Sequence, residues 1–155
     1  MRIGFLINPI AGMGGRVGLK GTDGKVEEAR RLGARPVATQ RAAAAINRLR
    51  ALIVQRQLKI ELQWLTCARA MGEDTLRECG FNDPAILYRP ADEPTETDTQ
   101  AAVEAFLASG SDLILFCGGD GTARDIASVT GLRTPILGIP SGVKMYSGVF
   151  GTTPE

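Results

Sequence analysis

The sequence of 155 residues contains no histidine. This absence excludes Ser–His and Cys–His nucleophile pairs, zinc sites with histidine ligands and acid–base chemistry by imidazole. Aromatic residues make up only 5% of the chain. A hydrophobic core must therefore consist mostly of Ala, Leu, Ile and Val.

Cysteine is also scarce, with three residues, Cys67, Cys79 and Cys117, and no CxxC pair. This spacing argues against a disulfide framework or a zinc site and favours a reducing, cytoplasmic setting, with Cys117 as a small core residue. No apolar run approaches the roughly 18–20 residues that span a bilayer, so we expect no membrane association. The formal net charge of +1 lacks the basic excess typical of a nucleic-acid binder.

Strand and helix patterns alternate along the chain. Hydrophobic runs and stop signals predict strands over 2–7, 58–65, 85–88, 112–117 and 136–139, and helices over 25–32, 40–57, 69–79, 97–109 and 123–129. This order predicts an α/β fold, a Rossmann-like three-layer domain with a mainly parallel sheet. A single domain accounts for residues 1–155.

Two helical patterns carry more specific predictions. In the helix at 97–109, Thr97 and Gln100 have the spacing of a capping box. In the helix at 40–57, Arg41, Arg48 and Arg56 lie off the apolar stripe and are interpreted as a solvated face.

A glycine-rich loop follows the first strand, with six glycines in residues 8–24. Its GxGxxxG spacing matches neither the dinucleotide fingerprint GxGxxG nor a Walker A loop. A loop of this length is either functional or a flexible linker. The cations Arg16, Lys20, Lys25 and, near the end of the chain, Lys144 either meet phosphates or are ordinary solvated charges.

The strongest local signal is the sequence Gly118-Gly119-Asp120-Gly121-Thr122, which lies where a buried strand passes into a helix. Ligands of open α/β sheets bind at this edge. The two leading glycines allow a phosphate to approach the backbone, and the helix N-terminus favours an anion. Asp120 would repel phosphate unless it binds a metal ion or accepts a proton from an attacking hydroxyl. The alternative is a tight strand–helix turn with Asp120 or Thr122 as N-cap.

The same five residues resemble the signature of the NAD kinase and diacylglycerol kinase superfamily. Asn8-Pro9-Ile10-Ala11-Gly12 is similar to the phosphate-side loop of that group. The fuller segments from Asn8 to Gly24, from Gly118 to Asp125 and from Gly138 to Tyr146 resemble the predicted ATP–NAD kinase branch of prokaryotes. The resemblance covers nearly the whole chain.

This resemblance implies a kinase that transfers a phosphoryl group from ATP or polyphosphate to the 2′-hydroxyl of NAD, giving NADP. ATP and magnesium are the implied cofactors, NAD is the substrate, and no metal ligand is assigned. Asp120 matches the motif aspartate that activates the hydroxyl, and it could act late in the transfer, as an orienting group or through a raised pKa. The expected nucleotide-binding residues are Asn8, Gly12, Gly14, Gly15, Gly118, Gly119, Gly121, Thr122, Ser141 and Gly142.

The chain departs from the family pattern because it lacks the second, Asn–acid motif and the β-rich domain that follows it. We therefore expect residues 1–155 to be the amino-terminal domain of a longer chain, inactive alone. We also expect the protein to form a homo-oligomer. Two alternatives stay open: a kinase of a lipid, sphingoid or other small alcohol, and a nucleotide-binding module without catalysis.

Overall fold

A computed structural model describes residues 1–12, 31, 37–142 and 145–154. The strands are β1 (Arg2–Ile7), β2 (Gln63–Cys67), β3 (Ala85–Tyr88), β4 (Leu113–Gly118) and β5 (Ile136–Pro140). The helices in this part of the chain are α1 (Ala38–Gln55), α2 (Glu73–Glu78), α3 (Glu96–Ala108) and α4 (Asp120–Thr130), with a 3-10 turn at Arg69–Met71.

All five strands are paired in parallel, in the order β3-β2-β1-β4-β5. The inner strands are hydrophobic along their length because both faces of the sheet are covered. Phe5 and Ile7 of β1 pack with Ala42 and Ile46 of α1 on one face. On the other face, the residues that pack together come from β1, β2, β4, α3 and α4: Leu6, Leu65, Ile114, Phe116, Phe106 and Ile126. These two cores and the sheet between them confirm the predicted α/β three-layer architecture.

Strand β1 lies in the middle of the sheet, beside β4. After β1 the chain continues towards β2 and β3 on one side, and after β4 it continues to β5 on the other. The carboxyl ends of β1 and β4 therefore form the point where strand order reverses, which is where open α/β sheets leave a crevice for ligands.

The second predicted strand, over 58–65, is wrong at its start, because β2 begins at Gln63. The register explains the difference: Gln63 pairs with Arg2, the first residue of β1, so earlier residues have no β1 neighbour. Leu58 and Ile60 are instead 43% and 48% exposed. Their alternating pattern does not belong to the sheet.

The predicted capping box at Thr97 and Gln100 is also wrong. Helix α3 begins at Glu96, and its capping box joins Thr95 to Asp98, two residues before the predicted pair. The Asp98 carboxylate accepts hydrogen bonds from the Thr95 N–H at 2.8 Å and from the Tyr88 hydroxyl at 3.0 Å. In this register the cap residue Asp98 also joins the start of α3 to β3.

Two further helix predictions change in detail. The helix predicted at 69–79 is divided by Gly72, whose φ of 152° interrupts helical geometry between the 3-10 turn and α2. The helix predicted at 123–129 begins earlier, at Asp120, so the glycine-rich motif itself forms the first turn. The helix predicted over 25–32 lies outside the described residues except for Arg31.

Candidate functional site

The candidate site lies at the carboxyl ends of β1, β4 and β5. Asn8 follows β1, Gly119 and Asp120 follow β4, and Ser141 follows β5. The backbone joins these ends: the Asn8 N–H donates to the Cys117 carbonyl oxygen at 2.9 Å, and the Ser141 N–H donates to that of Gly118 at 3.1 Å. Three segments that are far apart in sequence thus meet at one edge of the sheet.

Asn8 connects the end of β1 to the first turn of α4. Its side-chain amide donates to the Thr122 hydroxyl oxygen at 3.0 Å, and its side-chain carbonyl accepts the Ile10 N–H at 3.2 Å. Thr122 is 3% exposed. The Asn8 and Thr122 side chains therefore bind each other and hold the loop after β1 against α4.

The two leading glycines of the motif have different surroundings. A Cβ atom on Gly118 would lie 2.6 Å from the Thr122 Cβ, so glycine is needed there for the close approach of α4. A Cβ atom on Gly119 would meet only the Met145 Cε, at 4.0 Å. The sequence predicts room for a phosphate at both glycines. In the structure, Thr122 fills that room at Gly118, and only Gly119 leaves the backbone open.

Gly12 and Gly142 lie at the same edge. Gly12 has a φ of 82°, and a side chain there would collide with the carbonyl oxygen of Ser141. A Cβ on Gly142 would lie 3.0 Å from the Met145 Cε. The Met145 methyl group therefore lies near both Gly119 and Gly142. Gly14, Gly15, Arg16, Lys20, Lys25 and Lys144 lie outside the described residues.

Gly119 is the N-cap residue of α4, with extended backbone angles, and as a glycine it has no side chain to cap the helix. The sequence alone offers Asp120 or Thr122 as the N-cap of a tight turn. Neither residue is the N-cap, so that alternative is wrong. Asp120 and Gly121 begin the first turn, where backbone N–H groups have no partner within the helix. This end of α4 carries the positive pole of the helix dipole, which favours an anion.

The Asp120 carboxylate is bound by the segment of residues 145–147. Its oxygens accept the Tyr146 N–H at 3.0 Å, the Ser147 N–H at 3.0 Å and the Ser147 hydroxyl at 2.6 Å. The Ser147 hydroxyl and then the two backbone amides lower the pKa of Asp120, while its partial burial opposes them. The carboxylate is therefore ionised at neutral pH, and a raised pKa, one of the three routes considered for Asp120, does not occur in this conformation.

Several residues at this edge were missed by the sequence analysis. Ser147 and Tyr146 contact Asp120 across 27 and 26 residues, and no local spacing signals such a contact. Arg41 was assigned to a solvated face, but its side chain is half-buried and donates to the Pro140 carbonyl oxygen at 3.1 Å. Arg48 and Arg56 are exposed, as predicted.

Cys117 is confirmed as a core residue. Its thiol is buried and donates to the Ala38 carbonyl oxygen at 3.2 Å. Burial raises the pKa of Cys117 to about 12, so the thiol is protonated and unreactive near neutral pH.

A resident metal ion does not fit these residues. Among residues 1–12, 31, 37–142 and 145–154, no three histidine, cysteine, aspartate or glutamate side chains group to hold one. Both Asp120 oxygens also accept hydrogen bonds from protein donors.

The fold and this edge define the chain as an α/β domain with an anion-favouring helix N-terminus and a carboxylate at its strand-order reversal. The sequence matches the family model of the ATP-NAD kinase N-terminal domain over residues 3–155. The chain therefore belongs to that family, and its type of chemistry is that of NAD kinase phosphotransferases. Comparisons with curated proteins and with solved structures gave no match.

Within the described ranges, no helix has both the length and the hydrophobicity needed to cross a bilayer.

Proposed function

We propose that this domain binds nucleotide in an enzyme that transfers a phosphoryl group from ATP, or from polyphosphate, to the 2′-hydroxyl of NAD. The observation that carries the proposal is the meeting of Asn8, Gly119, Asp120 and Ser141 at one sheet edge, in a chain of this family. Phosphoryl transfer asks a protein mainly for positioning and for neutralisation of charge. The N-terminus of α4 and the open backbone at Gly119 supply groups of that kind.

In this proposal Asp120 orients the acceptor hydroxyl. The Ser147 hydroxyl already donates to one Asp120 oxygen at 2.6 Å, so the carboxylate is placed to accept a hydrogen bond from an alcohol. The 2′-hydroxyl of NAD takes the place of Ser147, its oxygen attacks the terminal phosphorus, and the bond to the leaving phosphate oxygen breaks. After Ser147 is displaced, the backbone amides of Tyr146 and Ser147 still lower the pKa of Asp120, so the proton moves to the carboxylate or to solvent only late in the transfer.

ATP is proposed as donor and magnesium only as the ion that accompanies its phosphates, which is a common mode of Mg²⁺ binding. We also propose that the domain of residues 1–155 does not turn over substrate alone. This part of the proposal is supported by the family resemblance, which implies a further, β-rich domain that holds much of the NAD.

The test is phosphoryl transfer from ATP to NAD by the full-length protein, comparing wild type with Asp120→Asn. The substitution keeps the shape of the side chain but removes its charge, and we expect kcat to fall by about 100-fold or more. Asp112→Asn is the matched control, because Asp112 lies at the opposite end of β4, where its carboxylate accepts the Arg2 N–H at 2.7 Å.

Three results would count against the proposal. Unchanged turnover in folded Asp120→Asn would remove this carboxylate from the reaction. Transfer of phosphate to a lipid or a small alcohol, but not to NAD, would replace the acceptor. Binding of ATP or NAD with no transfer to any acceptor would make the chain a nucleotide-binding module.

A further inference from the structure

Among the residues that the structure describes, Arg41 is a cation at the candidate site without an anionic partner. It lies in the first turns of α1, its side chain is half-buried, and one of its N–H groups donates to the Pro140 carbonyl oxygen at 3.1 Å. In the part of the chain that the structure describes, ion pairs join Arg69 to Asp92 and Arg77 to Glu73, and neither includes Arg41. A partly buried guanidinium with a single neutral acceptor leaves most of its five donors unused.

The surroundings of Arg41 also favour an anion. The N-cap residue of α1, Val37, provides no capping side chain, and no acidic residue occurs in the first turn. This helix end lies at the carboxyl edge of the sheet, because the Cys117 thiol donates to Ala38 and a side chain on Gly12 would collide with Val37. The positive pole of α1 therefore adds to the charge of Arg41.

A buried hydroxyl without a partner lies beside the residue that Arg41 contacts. Ser141 follows Pro140 directly, is 0% exposed, and its Oγ has no hydrogen-bond partner within residues 1–12, 31, 37–142 and 145–154. The buried hydroxyls of Thr75, Ser111 and Thr130 also lack a partner among the described residues, but only that of Ser141 directly follows the residue that Arg41 contacts. Buried hydroxyls normally have a partner, and at this position the Ser141 hydroxyl is free to bind a ligand. The Ser141 hydroxyl and the Arg41 guanidinium both suit a phosphate oxygen.

We propose that Arg41 binds a phosphate group of the nucleotide at this edge of the sheet, with Ser141 as a second donor. The proposal rests on the function proposed above and names a residue through which the domain holds its substrate. The guanidinium exchanges the neutral Pro140 carbonyl for a charged phosphate oxygen, which accepts a stronger hydrogen bond. The phosphate belongs either to the donor or to the pyrophosphate of NAD.

The test is calorimetric binding of inorganic tripolyphosphate to the full-length protein, without acceptor and without turnover. We expect Arg41→Gln to raise the Kd about tenfold or more, the usual effect of losing a hydrogen bond between charged groups. Arg48→Gln is the matched control, since Arg48 is on the same helix, is exposed and carries the same charge. Equal affinity in wild type and Arg41→Gln, or no binding by wild type at millimolar tripolyphosphate, would overturn the proposal.

A purely structural role for Arg41 predicts a different result. If Arg41 only joined α1 to Pro140, Arg41→Gln would lower the melting temperature without changing the salt dependence of tripolyphosphate binding. Our proposal predicts a shallower dependence of log Kd on log salt concentration. Should Arg41→Gln fail to fold, Arg41→Lys keeps the charge but not the planar donor pair, and severalfold weaker binding is then expected. Unchanged affinity in that variant would overturn the proposal.

Titrations of the same variants with ATP and with NAD identify the source of the phosphate. Loss of ATP affinity alone assigns Arg41 to the phosphoryl donor, and loss of NAD affinity alone assigns it to the acceptor. Because these measurements need no turnover, Arg41-dependent binding without kinase activity would retain this inference while the proposed function fails. Kinase activity that does not depend on Arg41 would retain the proposed function and overturn the phosphate-binding role of Arg41.

Discussion

Helices α3 and α4 each carry an aspartate in the first turn, and the pKa of each carboxyl lies below its ordinary value of 3.8. In α3 the pKa of Asp98 is lowered first by the Thr95 N–H, a donor three residues away at the start of the same helix. In α4 the pKa of Asp120 is lowered first by the Ser147 hydroxyl, from a distant segment.

The difference separates a structural carboxylate from a candidate functional one. Asp98 is 7% exposed and accepts hydrogen bonds that stabilise its own helix and join that helix to β3. Asp120 is half-buried, and its carboxylate is bound by a segment that does not belong to α4. A lowered pKa alone therefore does not identify a site. The origin of the donors, and whether they can be exchanged for a ligand, distinguishes the two cases.

The largest expected effect is on stability. We expect Asp98→Ala to lower the free energy of unfolding by about 2–3 kcal/mol, because it removes the capping box and leaves the Thr95 N–H and Tyr88 hydroxyl without their acceptor. Asp120→Ala should cost about 1 kcal/mol or less, since water can replace the carboxylate at partly exposed donors. Urea unfolding of both variants measures the two free energies. Equal losses of unfolding free energy in the two variants would contradict the view that Asp98 is structural and Asp120 is not.

A smaller effect is expected at the glycines that precede Asp120. Gly118→Ala forces Thr122 to move, because its Cβ would lie 2.6 Å from the new methyl group, and we expect a loss of about 1–2 kcal/mol. Gly119→Ala is the matched control: its nearest neighbour, the Met145 Cε, is 4.0 Å away, and its φ of −110° suits alanine. Urea unfolding again gives the comparison. A Gly119→Ala protein less stable than Gly118→Ala would show that the start of α4 is not held by packing on Thr122.

The two helix starts also show what the sequence can predict. The alternation of strands and helices was sufficient for the parallel α/β fold, and the location of Asp120 at the end of β4 followed from a buried strand meeting a glycine-rich turn. The capping box of α3 was placed two residues late, because Thr95–Asp98 and Thr97–Gln100 both fit the pattern. In the structure, Asp98 also accepts hydrogen bonds from the Tyr88 hydroxyl of β3 and from the Ala91 N–H, contacts that the helix pattern alone does not reveal.

The partners at the candidate site could not be predicted for a related reason. Arg41 contacts Pro140 across 99 residues, and Ser147 contacts Asp120 across 27. Periodicity predicts which face of its own helix a residue lies on. It does not predict which end of the helix packs against the edge of the sheet, and therefore not which residues lie near Pro140. Arg41 and Arg48 lie on the same helix, yet only Arg41 approaches the carboxyl edge, through its contact with Pro140.

The smallest expected effect concerns Ser147, the donor that distinguishes Asp120 most clearly from Asp98. Ser147→Ala removes the first cause of the lowered pKa of Asp120, so that pKa should move up towards its ordinary value of 3.8. An NMR titration of the aspartate carboxyl carbons measures this change, with Asp98 as an internal reference. Ser128→Ala is the matched control, because the Ser128 hydroxyl donates to the Asp125 carbonyl oxygen at 2.7 Å on the same helix.

The same titration makes a signed prediction for acid stability. A carboxyl whose pKa is lower in the folded state stabilises the fold above its unfolded pKa, near 3.9, and that contribution is lost as the pH falls through the folded value. In Ser147→Ala the two pKa values of Asp120 approach each other, so the part of the acid-induced loss due to Asp120 becomes smaller, while the part due to Asp98 stays. An unchanged Asp120 titration in Ser147→Ala would mean that the backbone amides of Tyr146 and Ser147 hold the charge alone. The Ser147 hydroxyl would then not mark the position of an acceptor hydroxyl.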